Sequence, residues 1–341
     1  MSCSALLGAG GLGRHSAELL DAFARRGVAA GYLSERRGET DAARSRTRGR
    51  RMLDVALRPL TFYRPAWRAW KESVLFDRDA ARRLPHADHF LGFNGSSLAQ
   101  LRAAGRAGDS LSLVAANPHF TYLMSQHARA FSQYPVDRSY ATRLARRNLR
   151  EYDQVQRIYV ASQYVWESFL EQGTPAEKLS LFPLTPAPRF TPGETARGDT
   201  FNIVFVGSLT VDKGVPLLLD AFTRLPFADA RLVLVGGWTT TAMRRHVQAA
   251  RAADSRIELF VGDPLPHLRA ARLYAHPAYA EGFGYAAAEA FACGVPVLVS
   301  QDTGMKELLG GGQTGMILPT GDLDALAEAM AAAYRGEILG G

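Results

Sequence analysis

From residue 201 onward the chain alternates short apolar runs with helix-patterned stretches, and that alternation limits the folds open to it more than any other feature. The runs 201–206, 231–235, 257–261, 273–276 and 295–299 read as buried strands, and the helical period predicts helices over 217–222, 243–253 and 323–334. Strands separated by helices pair in parallel, and their ligands bind beyond the carboxyl ends of the strands. The expected class is α/β with doubly wound, Rossmann-like sheets. A looser version of the pattern fills the first half. It has a short apolar stretch, a glycine turn at 8–13, and a helix carrying Leu19, Leu20, Phe23 and Ala24 that stops at Gly27. Apolar strands follow near 90–93, 111–115 and 157–161. A Pro-rich stretch over 183–193 breaks the rhythm. The predicted organisation is an N-terminal domain over 1–185, a linker over 186–198 and a C-terminal domain over 199–341.

Composition enters at three points. At 341 residues the chain is long enough for two domains with full cores. Its two cysteines, Cys3 and Cys293, stand in unlike contexts, so no disulfide framework is implied and a reducing compartment is expected. No run reaches the roughly eighteen apolar residues of a membrane span, and the start lacks a basic-then-apolar leader, which predicts a cytoplasmic protein. The net charge of +7 comes almost wholly from arginine, since only Lys71, Lys178, Lys213 and Lys306 are lysine. A cationic surface favours anionic partners such as nucleotides or lipid head groups.

The richest motif is Glu281-Gly282-Phe283-Gly284-Tyr285-Ala286-Ala287-Ala288-Glu289. An apolar run precedes it, and an Ala-rich helix follows the Gly-Phe-Gly turn. The first turn of that helix, near Tyr285 and Ala286, presents backbone N–H groups at the positive end of a dipole, which suits a phosphate. Glu289, set among Ala and Phe, is expected to be half buried and to need hydrogen-bond donors such as a ribose diol. Glu281, on the loop, can reach a sugar hydroxyl. The plainer reading is a strand–turn–helix with one solvated and one structural glutamate.

The longer string EGFGYAAAEAFACGVPVLVS resembles the signature of glycosyltransferase family 4, the large group of retaining GT-B enzymes. The resemblance implies two Rossmann-like domains facing across a cleft, with closure by a hinge near 183–198. It implies that Glu281 contacts the donor sugar and Glu289 holds the ribose of a nucleoside-diphosphate sugar, with Gly282, Phe283, Gly284 and Tyr285 beside the donor. Gly10, Gly11 and Gly13 resemble the family's glycine-rich first loop, and Ser208 and Lys213 fall at its diphosphate positions. The family usually has Arg where Ser208 stands, which leaves Lys213 as the cation of the pair. His119, after an apolar strand, matches a histidine that faces the sugar, and His15 would face the acceptor. Gly262 and Asp263 fall where the nucleobase is held. The implied catalytic set is Glu281, His119 and Lys213, with no cofactor and no metal.

Other readings have less support. Gly8, Gly10 and Gly13 fit a dinucleotide fingerprint, but no acidic residue ends a second strand. Asp77-Arg78-Asp79 is formally a metal–diphosphate motif, yet it stands in a charged helical stretch and reads as a solvated face. No Cys/His cluster has metal-ligand spacing. Ser208, and Pro183-Leu184-Thr185-Pro186 in place of a family Pro-Asn motif, favour a non-catalytic sugar-nucleotide or scaffold subunit; an epimerase or a phosphorylase would share the plan. Family members continue with helices after the point where this chain stops, which predicts that those helices are missing. Between 36 and 70, arginines mix with Phe62, Tyr63, Trp67 and Trp70. That suits peripheral contact with an anionic membrane face or a lipid-linked acceptor, with a solvated loop and inward-packing helix as the simpler alternative and nucleic acid disfavoured. The acceptor, glycan or otherwise, is open at this stage.

Overall fold

The computed structural model describes residues 1–3, 10–30, 65–136, 142–193, 200–310 and 314–339. By contact the chain forms two units, Met1–Tyr122 with Ser139–Leu184 and Leu123–Arg138 with Thr185–Gly341. In the first unit, strands β1 (His89–Phe93), β2 (Ser110–Ala115), β3 (Arg157–Val160) and β4 (Leu179–Leu181) pair in that order, all parallel. Ser2 extends the β1 edge, its N–H donating to Leu91 O at 2.9 Å. The described helices up to residue 171 are α1 (Gly10–Arg25), α2 (Pro65–Ala81), α3 (Leu98–Ala107), α4 (Phe120–Gln133), α5 (Thr142–Tyr152) and α6 (Gln163–Glu171). Leu113, Ile158, Val160, Val165 and Phe169 are buried in one core. Each such side chain contributes about 1.5–3 kcal/mol by leaving water.

The second unit carries a six-stranded sheet built from β5 (Phe201–Val206), β6 (Ala230–Val235), β7 (Ile257–Phe260), β8 (Leu273–His276), β9 (Val297–Ser300) and β10 (Gly315–Leu318). The spatial order is β10-β9-β8-β5-β6-β7, again all parallel. The helices of this half are α7 (Val215–Thr223), α8 (Thr241–Ala253), α9 (Leu265–Ala270), α10 (Tyr285–Ala292) and α11 (Leu323–Tyr334). From β5 the chain winds outward to β6 and β7, then returns to the other side of β5 as β8 and winds outward to β9 and β10. Strand order therefore reverses between β5 and β8, and the carboxyl ends of those two strands are where a ligand crevice is expected. The packing there needs glycine: a Cβ on Gly236, after β6, would stand 1.9 Å from Gly207 O, after β5.

Several expectations are corrected. Gly10–Gly13 form the first turn of α1 and not a loop before a helix, while residues 4–9 lie outside the described set. Strand β7 stops at Phe260, and Val261 is 81 % exposed. Asp77 does not lie on a solvated face. It is fully buried, paired with Arg147, and accepts from the N–H groups of Ala99 and Gln100 at 2.6 and 3.1 Å. It caps α3, while Asp79 alone is half exposed and pairs with Arg83 at 2.9 Å. Much of the stretch over 36–70 lies outside the described residues. The segment 123–136, first-half by chain order, joins the second unit, where Ala130 is buried in the main core.

Candidate functional site

Glycines shape the crossing between β5 and β8. After β5 the chain makes a loop through Ser208 to Lys213 and enters α7 through Gly214, at φ +70°. A Cβ on Gly214 would lie 2.0 Å from Pro277 O, just after β8, so only glycine lets these two loops touch. That contact brings Lys213 to Glu281. The ammonium and Glu281 Oε2 form a direct ion pair, with the side chains 25 % and 18 % exposed. Burial holds the lysine below its usual range, opposed by the nearby Asp212 carboxylate.

The backbone of Glu281 is fixed on both sides. Its N–H donates to Asp302 O at 2.9 Å, and its carbonyl accepts from Gly304 N at 3.0 Å. Ser300 and Thr303 hydroxyls meet at 3.0 Å beneath this turn. Gly284, at φ +87°, then turns the chain into α10. A Cβ there would stand 3.1 Å from Thr303 Cγ2 and 3.3 Å from Met305 Cβ, so Met305 fills the floor of the turn. Gly282 and Phe283 are buried, and Phe283 meets the ring of Tyr285 edge-on at 5.1 Å. The first N–H groups of α10 have no acceptor within their own helix. Glu289 lies one turn on and is 2 % exposed, more deeply buried than the half burial expected.

His276 was not singled out by the sequence, where it ends an apolar strand. Its ring is 3 % exposed, stacked on Phe205 at 5.7 Å and on Tyr274 at 6.1 Å. Nε2 lies 3.4 Å from Glu281 Oε2, and Nδ1 lies 3.3 Å from the Tyr274 hydroxyl. Burial, with the Lys213 charge beside it, pushes its pKa down to about 3. Trp238 was missed as well. Its backbone bridges to Leu209 in the Lys213 loop, and Arg244 lies over its ring at 5.5 Å. In sequence the available signal was a Trp directly after Gly236-Gly237 at the end of an apolar run.

The remaining predicted residues divide. Ser208 is exposed on the Lys213 loop. Gly262 follows β7, and Asp263 is held by Arg189 through two bonds of 2.8 and 2.9 Å, which lowers its pKa. Arg269 also donates to Thr191 O at 3.1 Å, and Phe190 is buried, so the described part of the expected linker is packed against the second unit. Gly11 and Gly13 stand in the first turn of α1. His119 belongs to the first unit, with its ring 5.0 Å from both Tyr152 and Phe169. Its Nδ1 accepts from Thr121 N at 3.3 Å, and burial lowers its pKa to about 4. His15 is buried between Phe93 and Phe182, its pKa also lowered to about 4. Thus Lys213, Glu281 and the start of α10 come together in one unit, while His119 and the α1 glycines belong to the other. Among the described residues, no group of three or more metal-ligating side chains is found and no helix is long and apolar enough to cross a membrane.

Residues 189–339 match the family model described as "Glycosyl transferases group 1". The D-inositol 3-phosphate glycosyltransferase of Mycolicibacterium paratuberculosis is 33 % identical over 142 residues, 39 % of this chain and 32 % of that protein. The chain thus spans about a third of the length of this curated relative. Sucrose-phosphate synthase from Thermosynechococcus elongatus superposes with a TM-score of 0.67 at 19 % identity, covering 97 % of this chain and 87 % of its own. HepE of Anabaena, solved in complex with UDP, superposes at 0.63 and 16 % identity, covering 96 % and 88 %. At those identities the likeness is one of fold, and the fold is GT-B. By sequence, the second half of the chain carries a group 1 glycosyl transferase domain.

Proposed function

We propose that the chain is a retaining glycosyltransferase that moves a hexose-type sugar from a nucleoside-diphosphate donor to a glycan, a lipid-linked sugar or another acceptor, without a bound metal. The observation that carries this reading is the Lys213–Glu281 pair at the β5/β8 crossing, beside the first turn of α10. A departing diphosphate gathers negative charge, which a fixed ammonium and helix N–H groups stabilise best where charge develops. A sugar ring needs an acceptor for its hydroxyls, and Glu281 supplies one. Before the donor arrives, the lysine and the glutamate neutralise each other. The diphosphate then takes Lys213, and the freed carboxylate turns to the sugar. Glu289, one turn into α10, holds the ribose diol, and the loop at Gly262 and Asp263 lies beside the base.

His119 keeps the role suggested by the resemblance. With Nδ1 accepting from Thr121 N–H, the ring proton belongs on Nε2, the form that donates to a sugar hydroxyl. Gly10, Gly11 and Gly13 offer helix-start amides to the donor or acceptor. The protein acts in the cytoplasm, with peripheral contact to an anionic membrane through 36–70; retention on anionic liposomes at low salt and release at high salt test that contact. A second reading is favoured by Ser208, which offers no charge: a subunit that binds donor without turnover. Nucleotide release from UDP-glucose, GDP-mannose and ADP-glucose in the presence of EDTA separates the two. The enzyme reading expects release from one donor, undiminished by EDTA and abolished in Glu281→Gln. Binding without release from any donor would favour the silent subunit, and release that needs added metal would contradict the metal-free mechanism.

A further inference from the structure

The exposed indole of Trp238 has no part in the account above, although it stands between two loops that the account uses. We propose that Trp238 is the surface on which the nucleobase of the donor stacks, with Arg244 holding the indole from its other face. The inference rests on the glycosyltransferase reading of the same site and adds the group on which the base lies.

Strand order puts Trp238 in the path of a nucleotide. β6 lies between β5 and β7, so the loop after β6 lies between the Lys213 loop and the loop of Gly262 and Asp263. Backbone bonds tie it to both sides. Towards β5, Gly207 N–H donates to Val235 O at 3.0 Å and Leu209 N–H to Gly237 O at 2.9 Å. Towards β7, Gly236 N–H donates to Phe260 O at 2.9 Å. A nucleotide with its diphosphate at Lys213 and its base beside Gly262 has to cross this loop. Gly236 and Gly237 present only backbone, and Trp238 is the first side chain after them. The indole is 36 % exposed at the end of a strand whose own residues are otherwise covered. A flat base laid on it removes that apolar surface from water and keeps the polar edges of the base free for hydrogen bonds. The ring is also held ready. Arg244 stands in the first turn of α8, where its N–H donates to Thr240 O at 3.0 Å, and its guanidinium lies over the indole at 5.5 Å. A ring already oriented by a cation loses little freedom when a base is added.

Two measurements on the full chain test this, with UDP, GDP, ADP and dTDP as probes. The first is affinity by titration calorimetry. Loss of a stacked base should weaken nucleotide binding about fivefold to a hundredfold in Trp238→Ala, and Trp238→Phe, which keeps a flat ring, should recover most of the difference. The second is tryptophan fluorescence, since Trp238 is one of four tryptophans. A base on the indole should quench part of the emission at saturation, and that quenching should vanish in Trp238→Phe. It should persist in Lys213→Met once nucleotide is saturating, because the stack and the phosphate contact are separate. Pyrophosphate, which has no base, should leave the emission unchanged. An affinity unaltered in Trp238→Ala, or quenching that survives in Trp238→Phe, overturns the proposal and leaves the donor reading standing. A wild type that binds none of the four nucleotides overturns the donor reading and this role with it.

Discussion

At the scale of single residues, the site depends on one lysine, one glutamate and the glycine that lets them meet. Gly214 is left-handed, and a side chain there would run into Pro277 O. Gly214→Ala should destabilise the second unit by at least about 2 kcal/mol, visible as a lower denaturation midpoint. Lys213→Met keeps the length of the side chain without its charge. Nucleoside diphosphate affinity in that variant should fall about tenfold to a hundredfold by titration calorimetry. Lys213 and Glu281 were legible because each stands in a motif of chemistry-bearing residues along the chain. His276 was not, because what gives it meaning is lateral: Phe205 from β5, Tyr274 beneath it, and a carboxylate reached only through the turn after β8. Along the chain it is one polar residue closing an apolar strand.

At the scale of elements, most of the strand pattern from 201 onward was readable because β5, β6, β8 and β9 hold no exposed residue and read as continuous apolar runs, while the edge strand β10, with Ile317 exposed, was not among the runs read. The helix over 323–334 and the strand over 273–276 have the bounds expected, while β9 begins two residues after the run that announced it. What pattern could not show was the use of a carboxylate as a cap from a distant helix. Asp77 on α2 satisfies the N–H groups of Ala99 and Gln100 at the start of α3, and α5 supplies Arg147 as its counter-ion. In sequence it is a charged residue in a charged stretch. Asp77→Ala would leave the buried Arg147 guanidinium only the longer contact to Glu151, 3.7 Å from its Nε, and would uncap α3. The first unit should lose about 3–5 kcal/mol, measured by urea unfolding followed through an N-terminal-unit probe such as Trp70 fluorescence.

At the scale of the whole molecule, stability should fall on acidification. Burial lowers His15 and His119 to about 4 and His276 to about 3. The unfolded chain therefore takes up protons first as pH falls below about 6.5, and stability drains away through that window. Glu151 works the other way. Burial raises it to about 7 against donors from Gly95 and Ser97, so its contribution is lost as pH rises from about 4.5 to 7. Three imidazoles outweigh one carboxyl, and the net loss from pH 7 to pH 5 should be on the order of 3 kcal/mol, read from urea midpoints. Chain order was also a poor guide to membership. Gln133 and Arg129 bond Gly321 and Thr320, and the Tyr279 hydroxyl donates to Gln133 at 2.7 Å. A fragment beginning at Thr185 lacks these partners and the Ala130 contact, and should unfold at lower denaturant than the same unit within the full chain.

The central claim is that the β5/β8 crossing binds a nucleoside diphosphate through Lys213 and the ribose carboxylate Glu289. A thermal-shift series with UDP, GDP, ADP and dTDP, wild type beside Lys213→Met and Glu289→Ala, tests it most directly. A ligand at a hundred times its dissociation constant stabilises by about 2.7 kcal/mol. The account predicts that one nucleotide shifts the wild type and that the shift shrinks sharply in both variants. A wild type indifferent to all four, or a shift that survives both substitutions unchanged, would contradict it.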